Sequence, residues 1–315
     1  MSNTPLGSGR AQGARVVCRQ QLGDLLLHEP AIRHLARASG TPADVVARDG
    51  LQTIIRLMPH ARAATGSARA ATTYCFDTKA VSVWQAFWSP AGRRILVAPA
   101  KRFRAWHRLA FGELRPFVKG DRYTAMALFE AVGGEPADFA PPALTPPPED
   151  WLPPNLPAAY GVLHPASAWR KKAWQAERWI AALAAVPLPC PLVLSAGPAD
   201  WEVALCGEIA DGLRAAGVVV DNRAGKTGLK QYLALLAQAR FLLCVDGSAG
   251  HIAAAFGRPT LTLFGPSNPV HWHWPTVRNR MISALAYSVE RHPSANAIPP
   301  AAVASELSSL LAVIS

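Results

Sequence analysis

Cysteine is scarce in this 315-residue chain: Cys18, Cys75, Cys190, Cys206 and Cys244 are scattered without CxxC spacing, three of them in strand-like runs. That excludes a disulfide framework, implies no metal site, and reads as reduced, mostly buried thiols of a cytosolic protein. No stretch reaches the roughly 18 apolar residues of a membrane span. Residues 1–14, MSNTPLGSGRAQGA, form a polar, flexible tail without the apolar core of a secretory signal. Charged residues are few, 17% against 50% hydrophobic, so the chain is globular and not disordered. Its length suits two domains of about 100 to 200 residues each.

Acidic residues are the minority charge, and the net charge of +11 calls for an anionic partner or surface. Nucleic acid, membrane and phosphorylated sugar all qualify. Between Lys79 and Arg108 there is no Asp or Glu at all, while Lys79, Arg93, Arg94, Lys101, Arg102, Arg104 and Arg108 alternate with Trp84, Phe87, Trp88, Phe103 and Trp106. Each cation alone reads as a solvated side chain. As a cluster they read as an anion-binding surface, suited to a membrane interface where Trp and Arg both sit comfortably.

A complete P-loop is also missing. AGKTGL (224–229) ends like one, but the motif needs a glycine five residues before Gly225 and position 220 is Val220, which excludes an ATPase reading.

Prolines, in contrast, are concentrated. PPALTPPPEDWLPPNLP (141–157) holds eight of them and cannot continue a helix or inner strand, so the boundary is expected there, giving domains 1–150 and 151–315. Before it, ARVVCRQ (14–20) is a strand and residues 23–40 are helix-like, with Pro30 bending the helix and Gly40 stopping it. PADVVARD and TTYCFDTK are further strand candidates. After it, strands at AYGVLH, CPLVLSAG and VVVDNR alternate with helices at AERWIAALAAV, DWEVALCGEIADGLRAAG and LKQYLALLAQA. The alternation predicts an α/β protein of two Rossmann-like domains with parallel sheets, facing a central cleft.

Residues 241–265 give the second domain its chemistry. FLLCVD is a buried strand ending in Asp246, GSAG a turn of small residues, HIAAAF a short helix and PTLTLFG the next strand. In such a unit both strands open onto the same sheet edge, where ligands bind. Gly247, Ser248, Ala249 and Gly250 then let a ligand approach the backbone, and the helix N-terminus favours an anion such as a nucleotide diphosphate. The plainer reading of an isolated GSAG is a tight turn.

Taken together, AGKTGLKQYLALLAQARFLLCVDGSAGHIAAAFGRPTLTLFGPSNPVHWHWP resembles the C-terminal signature of glycosyltransferase family 9, the lipopolysaccharide heptosyltransferases. HPASAWRKKAWQAERW (164–179) is similar to the family's His-Pro-Gly loop leading to Lys and Trp, and QLGDLLLHEPAIRHL (21–35) to its N-terminal Gly-Asp and helix. The resemblance implies a GT-B fold, donor held by the C-terminal domain and acceptor by the N-terminal one. It further implies inverting transfer of heptose from ADP-heptose to a lipopolysaccharide core precursor, with no cofactor, no required metal and no nucleic acid.

Inversion by direct displacement needs one base for the acceptor hydroxyl and a holder for the departing diphosphate. By resemblance Asp24 is the base, against the plain role of helix N-cap. Lys172 matches the donor-phosphate lysine, with the adjacent Lys171 leaving the register open by one. Ser167 offers a hydroxyl to phosphate or shapes its turn. Asp246 accepts hydrogen bonds from donor sugar hydroxyls or caps the short helix. His251 points into the donor pocket or packs beneath it, and Lys226 and Thr227 touch the nucleotide unless Thr227 caps the helix near Leu229. Ser248 and Ala166 stand where the family commonly has glycine, which narrows the backbone's approach and bears on which sugar is used. Lys79, Arg93, Arg94, Lys101, Arg102 and Arg104 are expected to dock the acceptor's anionic groups, with Trp88 and Trp106 at the cytoplasmic membrane surface. The competing readings are a sugar epimerase or a transferase of another nucleotide sugar, and then a non-catalytic anion-binding scaffold. The last helix, PPAAVASELSSLLAVIS, is expected to pack back on the first domain.

Overall fold

The computed structural model describes residues 13–64 and 69–314. The tail expected over residues 1–14 lies outside them except for Gly13 and Ala14, and Ala14 already opens a buried strand. The chain divides into two compact units, Met1–Ala140 and Pro141–Ser315. The division falls earlier than the 150/151 boundary because the proline segment packs on the second unit. Leu144 N–H donates to Ala255 O at 2.9 Å, and both Leu144 and Trp151 are buried.

The first unit is a parallel six-stranded sheet ordered β3-β2-β1-β4-β5-β6. Its strands are β1 (Ala14–Cys18), β2 (Ala43–Ala47), β3 (Ala61–Ala63), β4 (Ala70–Cys75), β5 (Ala91–Ala98) and β6 (Glu113–Pro116). The helices are α1 (Leu22–Leu27), α2 (Glu29–Ser39), α3 (Gln52–Ile55), α4 (Ala80–Trp88), α5 (His107–Ala110) and α6 (Thr124–Ala131). Every residue of β1 is buried, as befits a parallel strand covered on both faces. Pro30 does more than bend a helix. It occupies the first turn of α2, where its missing N–H costs nothing, and the chain breaks at His28 into two helices. Gly40 ends α2 in the left-handed region, φ 66°.

The second unit repeats the plan, with six parallel strands ordered β12-β11-β10-β7-β8-β9. They are β7 (Gly161–His164), β8 (Leu192–Leu194), β9 (Val220–Asn222), β10 (Leu242–Val245), β11 (Thr260–Phe264) and β12 (Asn279–Ser283). The helices are α7 (Ala176–Ala184), α8 (Asp200–Ala215), α9 (Leu229–Gln238), α10 (Ser248–Ala255), α11 (Pro269–Trp272) and α12 (Pro300–Ile314). Trp174 and Trp179 are fully buried in its core and meet edge-to-face at 4.9 Å. The last helix, α12, differs from expectation: Val303, Leu307, Leu310 and Leu311 join this same core, packing against α7 and β11. In both units the strand order reverses next to the first strand, which puts the ligand-accepting loops at the carboxyl ends of β1/β4 and β7/β10.

Candidate active site

In the second unit, β7 and β10 are paired, Cys244 opposite His164, so the segments that follow them share one edge. After β7 the chain makes a turn at Arg170–Lys172, and after β10 it presents Asp246. Lys172 Nζ donates to Asp246 Oδ2 at 2.6 Å. Lys171 instead lies exposed over Trp169, 4.8 Å from the ring centroid. Lys172 is thus the lysine drawn toward the buried carboxylate, while its neighbour faces solvent.

The GSAG segment differs from the expected turn. Ser248 already belongs to α10, so only Gly247 precedes the helix. Gly247 is extended and its role is close approach: a Cβ there would sit 3.3 Å from Ser167 Cβ. Ala249 and Gly250 are buried within α10. A Cβ at Gly250 would come within 2.9 Å of Thr262 Oγ1 and 3.3 Å of Cys244 Sγ, so this glycine seats α10 on β10 and β11. Ser167 Oγ accepts from Trp169 N–H at 3.3 Å and shapes its own turn. Ala166 is likewise buried. His251 sits among Asp246 and Lys172; burial, and then the Lys172 charge, hold its imidazole below its ordinary range against the pull of Asp246. Asp246 bonds Lys172 and makes no cap to α10, whose N-cap residue is Gly247 with no side-chain cap bond.

At the carboxyl end of β9 lies a pocket of about 410 Å³ lined by Pro153, Pro154, Asn222, Arg223, Lys226, Thr227 and Gln231, with Asp221. Arg223 fixes its walls, donating to Asp221 Oδ2 at 2.8 Å, Pro154 O at 3.0 Å and Asn155 O at 2.9 Å. Thr227 does not cap α9; that N-cap is Gly228, whose N–H bonds Gln231 Oε1 at 3.2 Å. Three strand spacings, roughly 14 Å, separate β9 from β10 along this edge.

In the first unit the carboxyl edge carries Asp24. It is not the N-cap of α1, a place held by Gln21. As the third helical residue it accepts from the Gln21 backbone N–H, half of a capping box. Burial raises its carboxyl above the ordinary range; the Gln21 bond and the Lys119 and Lys79 charges pull it down, and Asp77 adds to the rise. His28 fixes α1 from below. It stacks on Phe76 at 5.1 Å and bonds the Asp24 backbone, and burial pushes its pKa down to about 4.

The cationic run is divided by the fold. Arg93 and Arg94 lie in the amino half of β5, opposite Thr72 and Thr73, while Lys101, Arg102 and Arg104 follow its carboxyl end. Five strand steps, roughly 17 Å, carry the chain from Arg93 to Ala98 at the other edge, just before Lys101. Arg93 pairs with Glu113, and Arg94 donates to Ala86 O at 3.3 Å and Ser89 O at 3.1 Å. Both are therefore corrected from acceptor docking to closing the opposite edge. Lys79, Lys101, Arg102 and Arg104 remain exposed on the edge that carries Asp24. Asp77 and Lys119 at that edge, and Gln231 in the pocket, were missed. Asp77 had a signal, since like Asp246 it closely follows a parallel strand.

Residues 145–296 match the model described as glycosyltransferase family 9 (heptosyltransferase). This matched segment, just under half of the chain, holds Lys172, Asp246, His251 and the pocket residues. The chain is 30% identical over 137 residues to lipopolysaccharide heptosyltransferase 3 of Escherichia coli, a match covering 43% of this chain and 39% of that protein. It thus spans less than half the length of the curated relatives it matches. Among solved structures, E. coli ADP-heptose lipopolysaccharide heptosyltransferase II superposes with a TM-score of 0.78 at 18% identity, over 96% of this chain and 100% of that one. An E. coli heptosyltransferase solved with ADP-2-deoxy-2-fluoro heptose gives 0.67 at 17%, over 93% and 98%. The fold is GT-B. Among the described residues no group of His, Cys, Asp and Glu could hold a metal ion, and no helix is long and apolar enough to cross a membrane.

Proposed function

We propose that this chain is an inverting glycosyltransferase that moves heptose from ADP-heptose to a lipopolysaccharide core acceptor. The observation that carries the reading is the Lys172–Asp246 pair at 2.6 Å, set inside the family 9 segment at the start of α10. Lys172 is a cation already delivered to the sheet edge where a diphosphate meets helix N–H groups. The pocket beside β9 suits a nucleobase: proline walls, and amide groups at Asn222 and Gln231.

In the reaction the acceptor oxygen attacks the anomeric carbon of the donor. Its proton passes to an Asp24 carboxylate oxygen, the bond from that carbon to the β-phosphate oxygen breaks, and ADP departs with its electron pair. Asp24 suits the base role because burial strengthens its hold on a proton. Lys172 neutralises charge developing on the leaving diphosphate, so the proposed chemistry requires no metal. Asp246 holds Lys172 until the donor arrives and then accepts from donor sugar hydroxyls.

Lys79, Lys101, Arg102 and Arg104 receive the acceptor's phosphates and carboxylates. Trp106, 45% exposed, lies just beyond Arg104 and meets the anionic membrane surface on the cytoplasmic side. Changing Lys101, Arg102 and Arg104 together to Ser is expected to raise the acceptor KM and flatten its salt dependence; unchanged values remove the docking role.

The deciding experiment is calorimetric titration of ADP, UDP and GDP in chelator against the intact protein and Lys172→Ala. Selective ADP binding that weakens in the variant supports the reading. Preference for UDP or GDP changes the sugar, and no nucleotide binding overturns it.

A further inference from the structure

One aromatic ring stands open beside the Lys172–Asp246 pair. Trp169 is 61% exposed, although indoles are ordinarily covered. Its backbone is fixed. Trp169 N–H donates to Ser167 Oγ at 3.3 Å, Ser167 Oγ donates in turn to Trp169 O at 3.3 Å, and Lys172 N–H donates to the same carbonyl at 2.8 Å. Ser167 is itself seated against the start of α10, since a Cβ at Gly247 would lie 3.3 Å from its own Cβ. The indole is thus an exposed ring on a pinned turn. Lys172 Nζ, held by Asp246 Oδ2 at 2.6 Å, lies 5.4 Å from its centroid. Lys171 Nζ reaches the ring at 4.8 Å from an exposed side chain that a ligand can displace into solvent. Arg170 rests instead on Trp201 of α8, 5.7 Å from that ring.

Position along the sheet edge decides which part of a donor this ring meets. The proline-walled pocket lies at β9, the far end of the order β10-β7-β8-β9, whereas Trp169 follows β7 and stands beside the residue that follows β10. A nucleoside in that pocket with its diphosphate on Lys172 leaves the group esterified to the outer phosphate at the Trp169 end. Resting on the proposed transfer, we infer that Trp169 is the platform for the donor's sugar: the C–H face of the pyranose, covalently next to the phosphate that Lys172 binds, stacks on the indole in place of Lys171. Sugar C–H groups carry partial positive charge and meet the negative face of an aromatic ring as an ammonium does. The hydroxyl edge of the same sugar is left to Asp246. The ring therefore adds affinity for the nucleotide sugar over the bare nucleotide, and it selects sugars whose C–H face is unbroken by an axial hydroxyl.

The test compares ADP with ADP-heptose by calorimetry on the intact chain, Trp169→Ala and Trp169→Phe. Trp169→Ala is expected to weaken ADP-heptose about tenfold while leaving ADP unchanged, and Trp169→Phe to keep most of the wild-type affinity. A merely structural role would move both ligands together, and thermal unfolding of Trp169→Ala beside the wild type shows whether the turn survives. In chain labelled with fluorotryptophan, the Trp169 fluorine resonance, assigned by its loss in Trp169→Phe, should shift with ADP-heptose well beyond its shift with ADP.

Equal losses for ADP and ADP-heptose in Trp169→Ala, or an unchanged ADP-heptose affinity, overturn the sugar platform and leave the transferase reading intact. Failure of the wild type to bind either ligand fails the transferase reading, and the platform with it.

Discussion

Lys172 holds Asp246 and is proposed to meet the donor phosphate, two roles that respond differently to substitution. Removing its ammonium leaves the buried Asp246 carboxylate without its ion-pair partner. Because Lys172 keeps 18% side-chain exposure, Lys172→Met should cost roughly 2 kcal/mol, below the 3–5 of a fully buried pair. Urea unfolding checks it. The double variant Lys172→Met/Asp246→Asn is expected to regain most of that stability while leaving ADP binding weak, and recovery of both would remove the phosphate role. Asp24→Asn should cost transfer at least ~10²-fold with ADP affinity unchanged, measured by single-turnover rates beside calorimetry. The motif letters around residues 164–179 and 241–269 placed Lys172 and Asp246 in one site before their contact was known. They were silent on Lys119, because a lysine in a loop has no period or spacing, and its charge acts on Asp24 only once the sheet has formed. Nor could they tell that Ala249 and Gly250 point inward, since small residues suit a ligand turn and a tight helix seat equally well.

At the level of elements, the alternation of strands and helices was plain, and boundaries shifted where local chemistry intervened. The helix drawn over residues 23–40 is two helices, because His28 turns inward to stack on Phe76 and bond the Asp24 backbone. The run from Lys79 to Arg108 looked like one surface, yet α4 and β5 lie inside it and carry its middle, Arg93 and Arg94, to the opposite edge of the sheet from Lys79, Lys101, Arg102 and Arg104. Strand β7 shows how tightly the second sheet is packed. A Cβ at Gly161 would lie 2.2 Å from the ring of the fully buried Phe241. Gly161→Ala is thus expected to destabilise the protein by about 1–3 kcal/mol, read from the urea midpoint. A loss under 0.5 kcal/mol would mean the ring has room to turn.

For the molecule as a whole, three histidines tie stability to pH. Burial pushes His28, His164 and His273 down to about 4, from an ordinary 6.5. The unfolded chain takes up these protons below about pH 6.5 while the folded chain declines them until about pH 4, so stability falls across that window and is full above it. Thermal unfolding between pH 7.5 and about 4 should show a falling Tm, and a flat profile would mean these rings are not buried neutral. The two-unit plan followed from alternating elements around a proline-rich segment. The exact division did not, because proline marks where regular structure stops and says nothing about which side the stretch adheres to.

That adherence has a consequence for how such a protein can be recombined. Pro153 and Pro154 are wall residues of the pocket beside β9, and Arg223 clasps the backbone of Pro154 and Asn155. The segment that looks like a tether is thus part of the pocket proposed for the donor's nucleobase. A chimera that grafts a foreign acceptor unit after residue 150 would still carry this wall but sever Leu144 from Ala255, whereas a graft at Ala140 transplants the pocket whole. Donor choice should therefore travel with Pro141 onward, inherited as one block.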